Sequence, residues 1–311
     1  MIGFGAHVRE SLVPAIGRFA DVHIARIHDP YLGPSVSAPY GSQIAATVDG
    51  VIDPKRVDAL VIAATPEVHY DSAAASLKAG IPTFIEKPAS VDADAMRALC
   101  SLSENTGTYL AVGHNYSFSP ALTRVQRFIQ SSDFGEILNL NVAFHGSKPR
   151  GPRWGMTDEF RAFLLSHATH AFDIALFSTS DVPLEVESAS FRSSRNGHAG
   201  TVLLSGGSSL SVCVSLTNLA PRFDLGLTAI SNAGRRVRMS GLSRVEYDGS
   251  DSSDRIGSSW SASVSATDIA GYVEQFSDFF HHVQNQRWTP TVMVRALRGL
   301  EIIDQIIHLR S

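Results

Sequence analysis

The sequence has few cysteines, no basic clusters and no long apolar runs. Only 2 of its 311 residues are cysteines, and Cys100 and Cys213 lie far apart in the chain. We therefore interpret them as small buried residues of a reducing compartment, not as a disulfide or a metal pair. No stretch reaches the roughly 18 apolar residues of a transmembrane helix, and a signal-peptide pattern is missing. These absences predict a cytoplasmic protein with no membrane partner.

The charge balance excludes a second class of function. The formal net charge is -4, and no Lys/Arg cluster offsets it, so we expect no nucleic-acid partner. A hydrophobic content of 44% and a charged content of 18% are typical of a globular protein. The length suits two domains, each with its own core.

The first third of the chain alternates short apolar runs with helical patterns. Strands are predicted near 22–27, 58–63, 82–85 and 109–112, with helices between them. This alternation indicates parallel βαβ units. We predict a dinucleotide-binding Rossmann domain with a doubly wound parallel sheet over residues 1–116.

The pattern changes at about residue 117. Helices are predicted at 120–130 and 158–177, with strands at 137–145, 184–192, 200–205, 209–217, 222–231, 234–240 and 243–247. Successive strands with few helices between them predict an open, mostly antiparallel sheet in an α+β domain over 117–311. The terminal helix can pack back on the first domain. The Ser-, Asp- and Gly-rich stretch 249–261 predicts a mobile loop.

A glycine turn opens the chain at Gly3-Phe4-Gly5. Such glycines permit a tight turn, after which helix N-terminal amides meet a pyrophosphate. The third position of this fingerprint is Val8, so a plain turn is the alternative. Asp29, 24 residues beyond Gly5, can bind ribose hydroxyls and repel a 2′-phosphate, which favours NAD over NADP. The alternative for Asp29 is a loop acid before a proline.

Only two residues, Met1 and Ile2, precede this turn. The first strand of such a fold is central in the sheet. Either the numbering begins late or strand 1 is shortened. A shortened central strand would leave backbone hydrogen-bonding groups of the neighbouring strands without partners, which is costly in free energy.

A second motif, Glu86-Lys87-Pro88, follows a strand. A lysine at a strand's carboxyl end beside nicotinamide can hydrogen-bond a substrate oxygen and stabilise a developing alkoxide. Glu86 can orient that lysine, and Pro88 stiffens the turn. The alternative for Lys87 is a solvated lysine in a turn.

The helix at 158–177 carries the third candidate group. Ser166, His170 and Asp173 are spaced by four and three residues, which predicts a shared face. His170 can donate or accept a hydroxyl proton, with Asp173 orienting it; the alternative is a core histidine bonded to the backbone. His167 and His170 lack a supporting cysteine or carboxylate cluster, so we predict no metal site.

Polar residues near the predicted domain junction form a fourth group. Asn115 follows a strand, and Arg150, Arg153 and Trp154 precede the helix. These side chains can line a substrate pocket that binds hydroxyls or a carboxylate. A solvated basic loop is the equal alternative.

Over essentially its whole length, the sequence resembles the glucose-fructose oxidoreductase/inositol dehydrogenase/rhizopine-catabolism (Gfo/Idh/MocA) family. The residues that carry the resemblance are Gly3-Phe4-Gly5, Ala64-Thr65-Pro66 with His69, Glu86-Lys87-Pro88, Gly113-His114-Asn115, His170 with Asp173, and the helices at 272–280 and 294–311.

The resemblance implies an NAD(P)-dependent oxidoreductase that acts on a ring hydroxyl or ketone of a sugar or cyclitol. Lys87 and His170 match the family's catalytic lysine and histidine. Cofactor contacts are implied for Gly3, Phe4, Gly5, Asp29, Ala64, Thr65, Pro66, His69, Glu86, Lys87 and Asn115. Substrate contacts are implied for Lys87, Asn115, Arg153, Trp154, Ser166 and His170. The family's sheet often forms subunit interfaces, so a homodimer or homotetramer is implied.

Three departures from the family pattern leave alternatives open. Ser166 stands where an acid is common, Ser117 replaces an arginine, and 159–162 is not glycine-rich. An imine substrate, a transient redox step on tightly bound NAD within an elimination or hydrolysis, and a non-catalytic cofactor-binding regulator remain alternatives to sugar dehydrogenation.

Overall fold

The computed structural model describes residues 1–32, 39–147, 153–249, 256–259, 265–286 and 288–310. It divides into two compact units. Unit 1 comprises Met1–His114 and Tyr272–Leu297, and unit 2 comprises Asn115–Gly271 and Arg298–Ser311.

Unit 1 is built on a parallel sheet. Its strands are β1 (Arg26–Ile27), β2 (Gln43–Ile44), β3 (Leu60–Ile62), β4 (Thr83–Glu86) and β5 (Leu110–Gly113). β1 pairs with β2, and β3, β4 and β5 pair in that order, all in parallel. Ile2 bridges His28 on one side and Ile62 on the other, and so joins the two groups into one sheet.

Residues 1–3 occupy the central position of this sheet. The Ile2 amide donates to the Val61 carbonyl at 2.9 Å, and the Gly3 amide donates to the His28 carbonyl at 2.8 Å. The Ile2 carbonyl accepts from Ala63 at 2.8 Å. These short segments therefore pair both neighbouring strands near their carboxyl ends, the edge at which ligands bind in this kind of sheet.

Helices flank the sheet of unit 1. A π-helical turn, Val8–Leu12, leads into α1 (Val13–Ile16), and α2 (Pro66–Lys78), α3 (Ala93–Thr106) and α8 (Tyr272–Asn285) follow. The Asp92 carboxylate caps α3 by accepting from the Ala95 amide at 2.8 Å. Phe84 of β4 and Phe276 of α8 pack with ring centroids 4.8 Å apart, and both are fully buried. The core of unit 1 therefore joins residues distant in sequence.

Unit 2 contains an eight-stranded sheet. Its strands are β6 (Ile137–His145), β7 (Glu185–Ser194), β8 (Gly197–Gly206), β9 (Leu210–Thr217), β10 (Asp224–Ser231), β11 (Arg236–Ser240), β12 (Arg244–Asp248) and β13 (Ile256–Ser259). Their order is β13-β12-β11-β10-β6-β9-β8-β7. Among the described strands of this second sheet, only β6 and β9 pair in parallel. The predicted fold class, a parallel Rossmann sheet followed by an open, mostly antiparallel sheet, is confirmed.

Helices of unit 2 cover one face of this sheet. They are α4 (Pro120–Ile129), α5 (Glu159–Phe163), α6 (Thr169–Ser178) and the short α7 (Ala266–Ile269); α9 (Thr291–Arg310) crosses the division between the units. Strand β10 shows the resulting alternation, because Leu225, Leu227 and Ala229 are buried whereas Ile230 is exposed. Apolar residues at every second position thus meet the helices.

One local expectation was wrong, and the structure adds a detail to another. The stretch 249–261 was expected to be a mobile loop, but Ile256–Ser259 forms the edge strand β13, whose backbone pairs with β12 from Tyr247 to Arg244; residues 250–255 and 260–261 lie outside the described range. The helix expected over 158–177 is not uniform, because a π-helical turn, Leu164–Ala168, separates α5 from α6. Within the described part of the chain, no helix combines the length and apolar character that a bilayer crossing requires.

Candidate functional site

The two glycines of the turn in unit 1 have different surroundings. Gly3 has a φ of +86°, and a Cβ there would lie 2.6 Å from the Ala63 carbonyl oxygen. Only glycine therefore fits between the turn and the end of β3. Gly5, by contrast, borders open space, since no described atom lies within 4 Å of the position that a Cβ would occupy. That open space at the start of the first helix leaves room for a ligand's phosphates to approach the backbone.

Asp29 stabilises this turn through its side-chain carboxylate. Its Oδ2 accepts a hydrogen bond from the Phe4 amide at 2.6 Å, and its Oδ1 accepts one from the Tyr31 amide at 2.9 Å. A carboxylate has about four acceptor positions, so both oxygens retain capacity for the ribose hydroxyls of a dinucleotide. Asp29 therefore holds the glycine turn in place while presenting a negative charge beside it.

His69 connects two strand ends. It lies in the second turn of α2, which begins after Ala64 and Thr65 with Pro66 at its first position. Its Nδ1 lies 2.8 Å from the Pro88 carbonyl oxygen, and its Nε2 lies 3.1 Å from the Ala64 carbonyl oxygen. Burial lowers the pKa of His69, against the opposing effect of these carbonyl contacts and of nearby Glu86. A neutral imidazole carries one N–H and can donate to only one of these two carbonyl oxygens, but its ring lies between the end of β3 and the turn after β4.

The Glu86-Lys87-Pro88 turn ends β4. Glu86 is buried; its Oε2 accepts from the Lys87 amide at 3.1 Å, and its Oε1 lies 3.5 Å from His7 Nε2. Lys87 is half-buried, and the peptide bond between Lys87 and Pro88 is cis. A Cβ on Gly113 of β5 would lie 2.9 Å from Glu86 Oε1. The glycine on β5 therefore makes room for the carboxylate that supports the backbone of Lys87.

Together these residues occupy one edge of the sheet in unit 1. The glycine turn, the end of β3 and the end of β4 all lie at the carboxyl ends of parallel strands, where open α/β sheets bind ligands. The open position at Gly5 and the acid at Asp29 fit a dinucleotide. When bound, the nicotinamide of NAD would accept or supply a hydride.

In unit 2 the structure surrounds His170 with aromatic rings. His170 is buried, its ring centroid lies 4.7 Å from that of Tyr116, and it stacks on Phe144 at 5.6 Å with 20° between the planes. Phe144 in turn meets Phe223 edge-on at 5.3 Å. We call Tyr116, Phe144, His170 and Phe223 the aromatic cluster. Burial raises the pKa of Tyr116 to about 12, so its phenol stays neutral at physiological pH.

The polar residues expected beside His170 have other described partners. The Ser166 hydroxyl donates to the Phe163 carbonyl at 3.0 Å, and Ser166 Oγ lies 2.7 Å from His167 Nδ1. Asp173 accepts a hydrogen bond from the Ser117 hydroxyl. The π-helical turn alters the helical register between 164 and 168, so positions spaced for an α-helix do not align there as expected.

The remaining predicted residues lie elsewhere in unit 2. Asn115 is buried, and its Nδ2 donates to the Ala270 carbonyl at 2.8 Å. Trp154 has a φ of +52°, and the Arg153 guanidinium lies 5.5 Å from its ring centroid. Burial lowers the pKa of Arg153. Arg150 lies outside the described residues. The described part of the chain contains no group of three or more His, Cys, Asp or Glu side chains suited to a metal.

Sequence reasoning missed Tyr116, Phe144 and Phe223 as neighbours of His170. Tyr116 directly follows the motif residue Asn115, which was the one available signal. Phe144 and Phe223 were assigned to the predicted strands 137–145 and 222–231, and nothing in the sequence linked either residue to His170. Sheet register brings them together: Phe144 pairs with Leu225, two residues beyond Phe223 and on the same face.

Comparison with known proteins identifies the first unit. Residues 1–114 match the family model GFO_IDH_MocA, described as an oxidoreductase family with an NAD-binding Rossmann fold. This region is therefore an NAD-binding Rossmann domain.

One curated relative is the inositol 2-dehydrogenase of Rhizobium meliloti. It is 26% identical over 174 residues, which cover 55% of this chain and 52% of the relative. The chain thus spans about half the length of this curated relative.

Two solved structures share the whole fold. A dehydrogenase from Chromobacterium violaceum superposes with a TM-score of 0.89 at 20% identity, covering 99% of this chain and 93% of that one. A levoglucosan dehydrogenase in complex with NADH and L-sorbose gives a TM-score of 0.85 at 14% identity, covering 99% and 94%. At these identities the likeness concerns the fold.

Proposed function

We propose that this chain, a Gfo/Idh/MocA-family protein by its residues 1–114, transfers a hydride between NAD and a hydroxyl or ketone carbon of a sugar, cyclitol or related small molecule. One observation carries the proposal. Lys87 stands at the carboxyl end of β4, beside the strand edge that holds the glycine turn and Asp29.

Lys87 supplies the positive charge. An ammonium group at this edge donates a hydrogen bond to the substrate oxygen and stabilises the negative charge that develops when a hydroxyl loses its proton. The Glu86 carboxylate fixes the backbone of Lys87 through the 3.1 Å bond to its amide. His69 supports the turn at Lys87 and Pro88, because its Nδ1 lies 2.8 Å from the Pro88 carbonyl oxygen.

His170 is the proposed acceptor of the hydroxyl proton. Imidazole exchanges protons near neutral pH, which suits it to an alcohol–ketone interconversion. Stacking on Phe144 and contact with Tyr116 fix the plane of the ring.

Asp29 favours NAD over NADP. Its carboxylate is held by the Phe4 and Tyr31 amides and presents its charge beside the glycine turn. Ribose hydroxyls can donate to this carboxylate, whereas a 2′-phosphate would be repelled by it.

The proposed substrate class is supported by the names of two similar proteins. The named relatives act on inositol and levoglucosan, both of which are polyhydroxylated rings. Asn115, Arg153, Trp154 and Ser166 remain proposed substrate contacts, although the described bonds of Asn115 and Ser166 are to Ala270 and His167.

We also propose that the open face of the sheet in unit 2 forms a homodimer or homotetramer contact. Leu203 of β8 and Ile230 of β10, two large apolar side chains of this sheet, are 40% and 42% exposed, and contact with a second copy would remove their apolar surface from water. Light scattering should show an oligomer for the wild type and dissociation for Leu203→Glu; an unchanged mass would exclude this face.

The function is tested by cofactor titration followed by a substrate panel. Fluorescence titration should show tighter binding of NADH than of NADPH. Turnover of myo-inositol, levoglucosan and related rings should then be measured for the wild type and for Lys87→Ala. We expect a loss of about a hundredfold or more in kcat, larger than any change in the NADH dissociation constant. Normal turnover by Lys87→Ala would contradict the proposed role, and NADH binding without turnover of any substrate would favour a regulator.

A further inference from the structure

One ring of the aromatic cluster reaches solvent. Phe223 is 45% exposed, whereas Phe144 and His170 are 4% and 7% exposed. Solvent exposure within the cluster therefore increases from His170, which is buried, to Phe223, which is exposed. A lone exposed aromatic residue needs no explanation, but this one is continuous with the candidate catalytic histidine.

The exposed ring packs against two other rings of the aromatic cluster. Phe223 lies nearly parallel to Tyr116, with centroids 6.0 Å apart and 19° between the planes, and meets Phe144 edge-on at 75°. Tyr116 contacts His170 directly at 4.7 Å. The faces of Tyr116 and Phe223 therefore share one orientation next to His170.

We propose that the exposed ring of Phe223, backed by Tyr116, is a stacking surface for the C–H face of a cyclic polyol substrate, and that it selects rings over open-chain polyols. The face of an aromatic ring carries partial negative charge. The C–H bonds of a polyol are polarised towards the attached oxygens, so their hydrogens are attracted to such a face. A ring that presents several C–H bonds on one side matches a flat aromatic surface, whereas a flexible chain must first lose conformational entropy.

The stacking surface and the hydrogen-bonding groups of the site contact different parts of the substrate. Hydroxyl groups need hydrogen bonds, and the rings of Tyr116 and Phe223 offer none from their faces. They fix the plane of the substrate ring, while His170 at the buried end of the cluster contacts a hydroxyl oxygen of the substrate. Because the Tyr116 phenol stays neutral, with a pKa raised to about 12 by burial, the surface stays uncharged across the working pH range.

The inference rests on the proposed function, so the test uses two readouts. The first is steady-state turnover of myo-inositol and of D-sorbitol, which offer six hydroxyls in a ring and in an open chain. The second is saturation-transfer NMR from protein to myo-inositol, D-glucose and levoglucosan, which detects binding without turnover. Both are measured on the full chain with NADH or NAD present.

Substitutions at Phe223 separate stacking from folding. The exposed position makes Phe223→Ala, Phe223→Leu and Phe223→Tyr tolerable. Leu309→Ala is the matched control, because Leu309 is an apolar residue of unit 2 that is 61% exposed and lies outside the cluster. We expect Phe223→Ala to raise KM for the ring, or its dissociation constant, about three- to tenfold, with kcat changed less than about twofold. The KM of Phe223→Leu should lie between those of the wild type and of Phe223→Ala, and the KM of Phe223→Tyr should match that of the wild type.

The outcomes distinguish the two proposals. Ring binding that weakens in Phe223→Ala without turnover in any protein would support the stacking surface and contradict the hydride transfer. Turnover of rings with an unchanged KM in Phe223→Ala would overturn the stacking surface and leave the proposed function standing. An equal loss in Leu309→Ala, a preference for D-sorbitol, or the absence of both binding and turnover with every ring would also overturn the stacking surface.

Discussion

The Nδ1 atom of His69 lies 2.8 Å from the carbonyl oxygen of Pro88. Because Pro88 follows Lys87, this contact joins α2 to the turn that carries the proposed catalytic lysine. The other ring nitrogen lies 3.1 Å from the Ala64 carbonyl oxygen. A single buried imidazole thus spans the ends of two neighbouring strands.

Replacing His69 by alanine should destabilise the protein and loosen the lysine turn. Loss of the imidazole leaves one carbonyl group without its N–H donor and creates a cavity, at a cost of about 2 kcal/mol in the free energy of unfolding. Urea unfolding measures this cost. Tyr70→Ala is the control, since Tyr70 is the next residue of α2 and is 38% exposed. An equal loss in both variants would argue against a role for the His69 contacts.

The same histidine predicts a pH dependence. Burial lowers the pKa of His69 from its ordinary value of about 6.5, so the unfolded chain binds a proton more readily than the folded protein. The contribution of His69 to stability is therefore complete above about pH 6.5 and declines as the pH falls below it. The difference in unfolding free energy between wild type and His69→Ala should shrink between pH 7.5 and pH 5. A difference that stays constant or grows towards low pH would be inconsistent with a neutral His69.

Gly113 and Glu86 should be energetically coupled. A Cβ at Gly113 would lie 2.9 Å from the Glu86 carboxylate, so Gly113→Ala must displace a buried charged group, at about 1–2 kcal/mol. In a Glu86→Ala background that group is absent, and the same substitution should cost less than half as much. A double-mutant cycle of urea unfolding measures the coupling, and additive effects would show that Glu86 does not fill the space at Gly113.

Asp29 should control the choice of cofactor. Asp29→Asn removes the negative charge and keeps one oxygen that can accept from the Phe4 amide, but it loses the acceptor for the Tyr31 amide. The NADPH/NADH affinity ratio should therefore rise about tenfold or more, with a loss of about 1 kcal/mol in the free energy of unfolding. Asp29→Ala also loses the 2.6 Å bond to Phe4 and should weaken both cofactors. Fluorescence titration separates the two effects. Asp94→Asn, at an exposed helix position in the same unit, controls for net charge, and an unaltered ratio in Asp29→Asn would contradict the assignment.

Several features of the fold could be predicted because they depend on local sequence. The alternation of apolar runs and helical patterns gave the parallel sheet, and β6 was placed at 137–145 as the structure has it. Caps and stops such as Gly107, which adopts the left-handed conformation after α3, act through adjacent residues only. The edge strand β13 was missed because its serines and glycine favour a loop, and only pairing with β12 stabilises an extended form.

The sequence by itself determined the order of the two sheets, the glycine turn and the strand-end position of Lys87, because spacing along the chain sets these features. Only the tertiary structure decided which side chains meet. Ser117 bonds Asp173, and Phe223 stacks beside Tyr116, across more than 50 residues in each case. Such partners depend on strand register and on how helices pack across a sheet, and no local pattern encodes either of these.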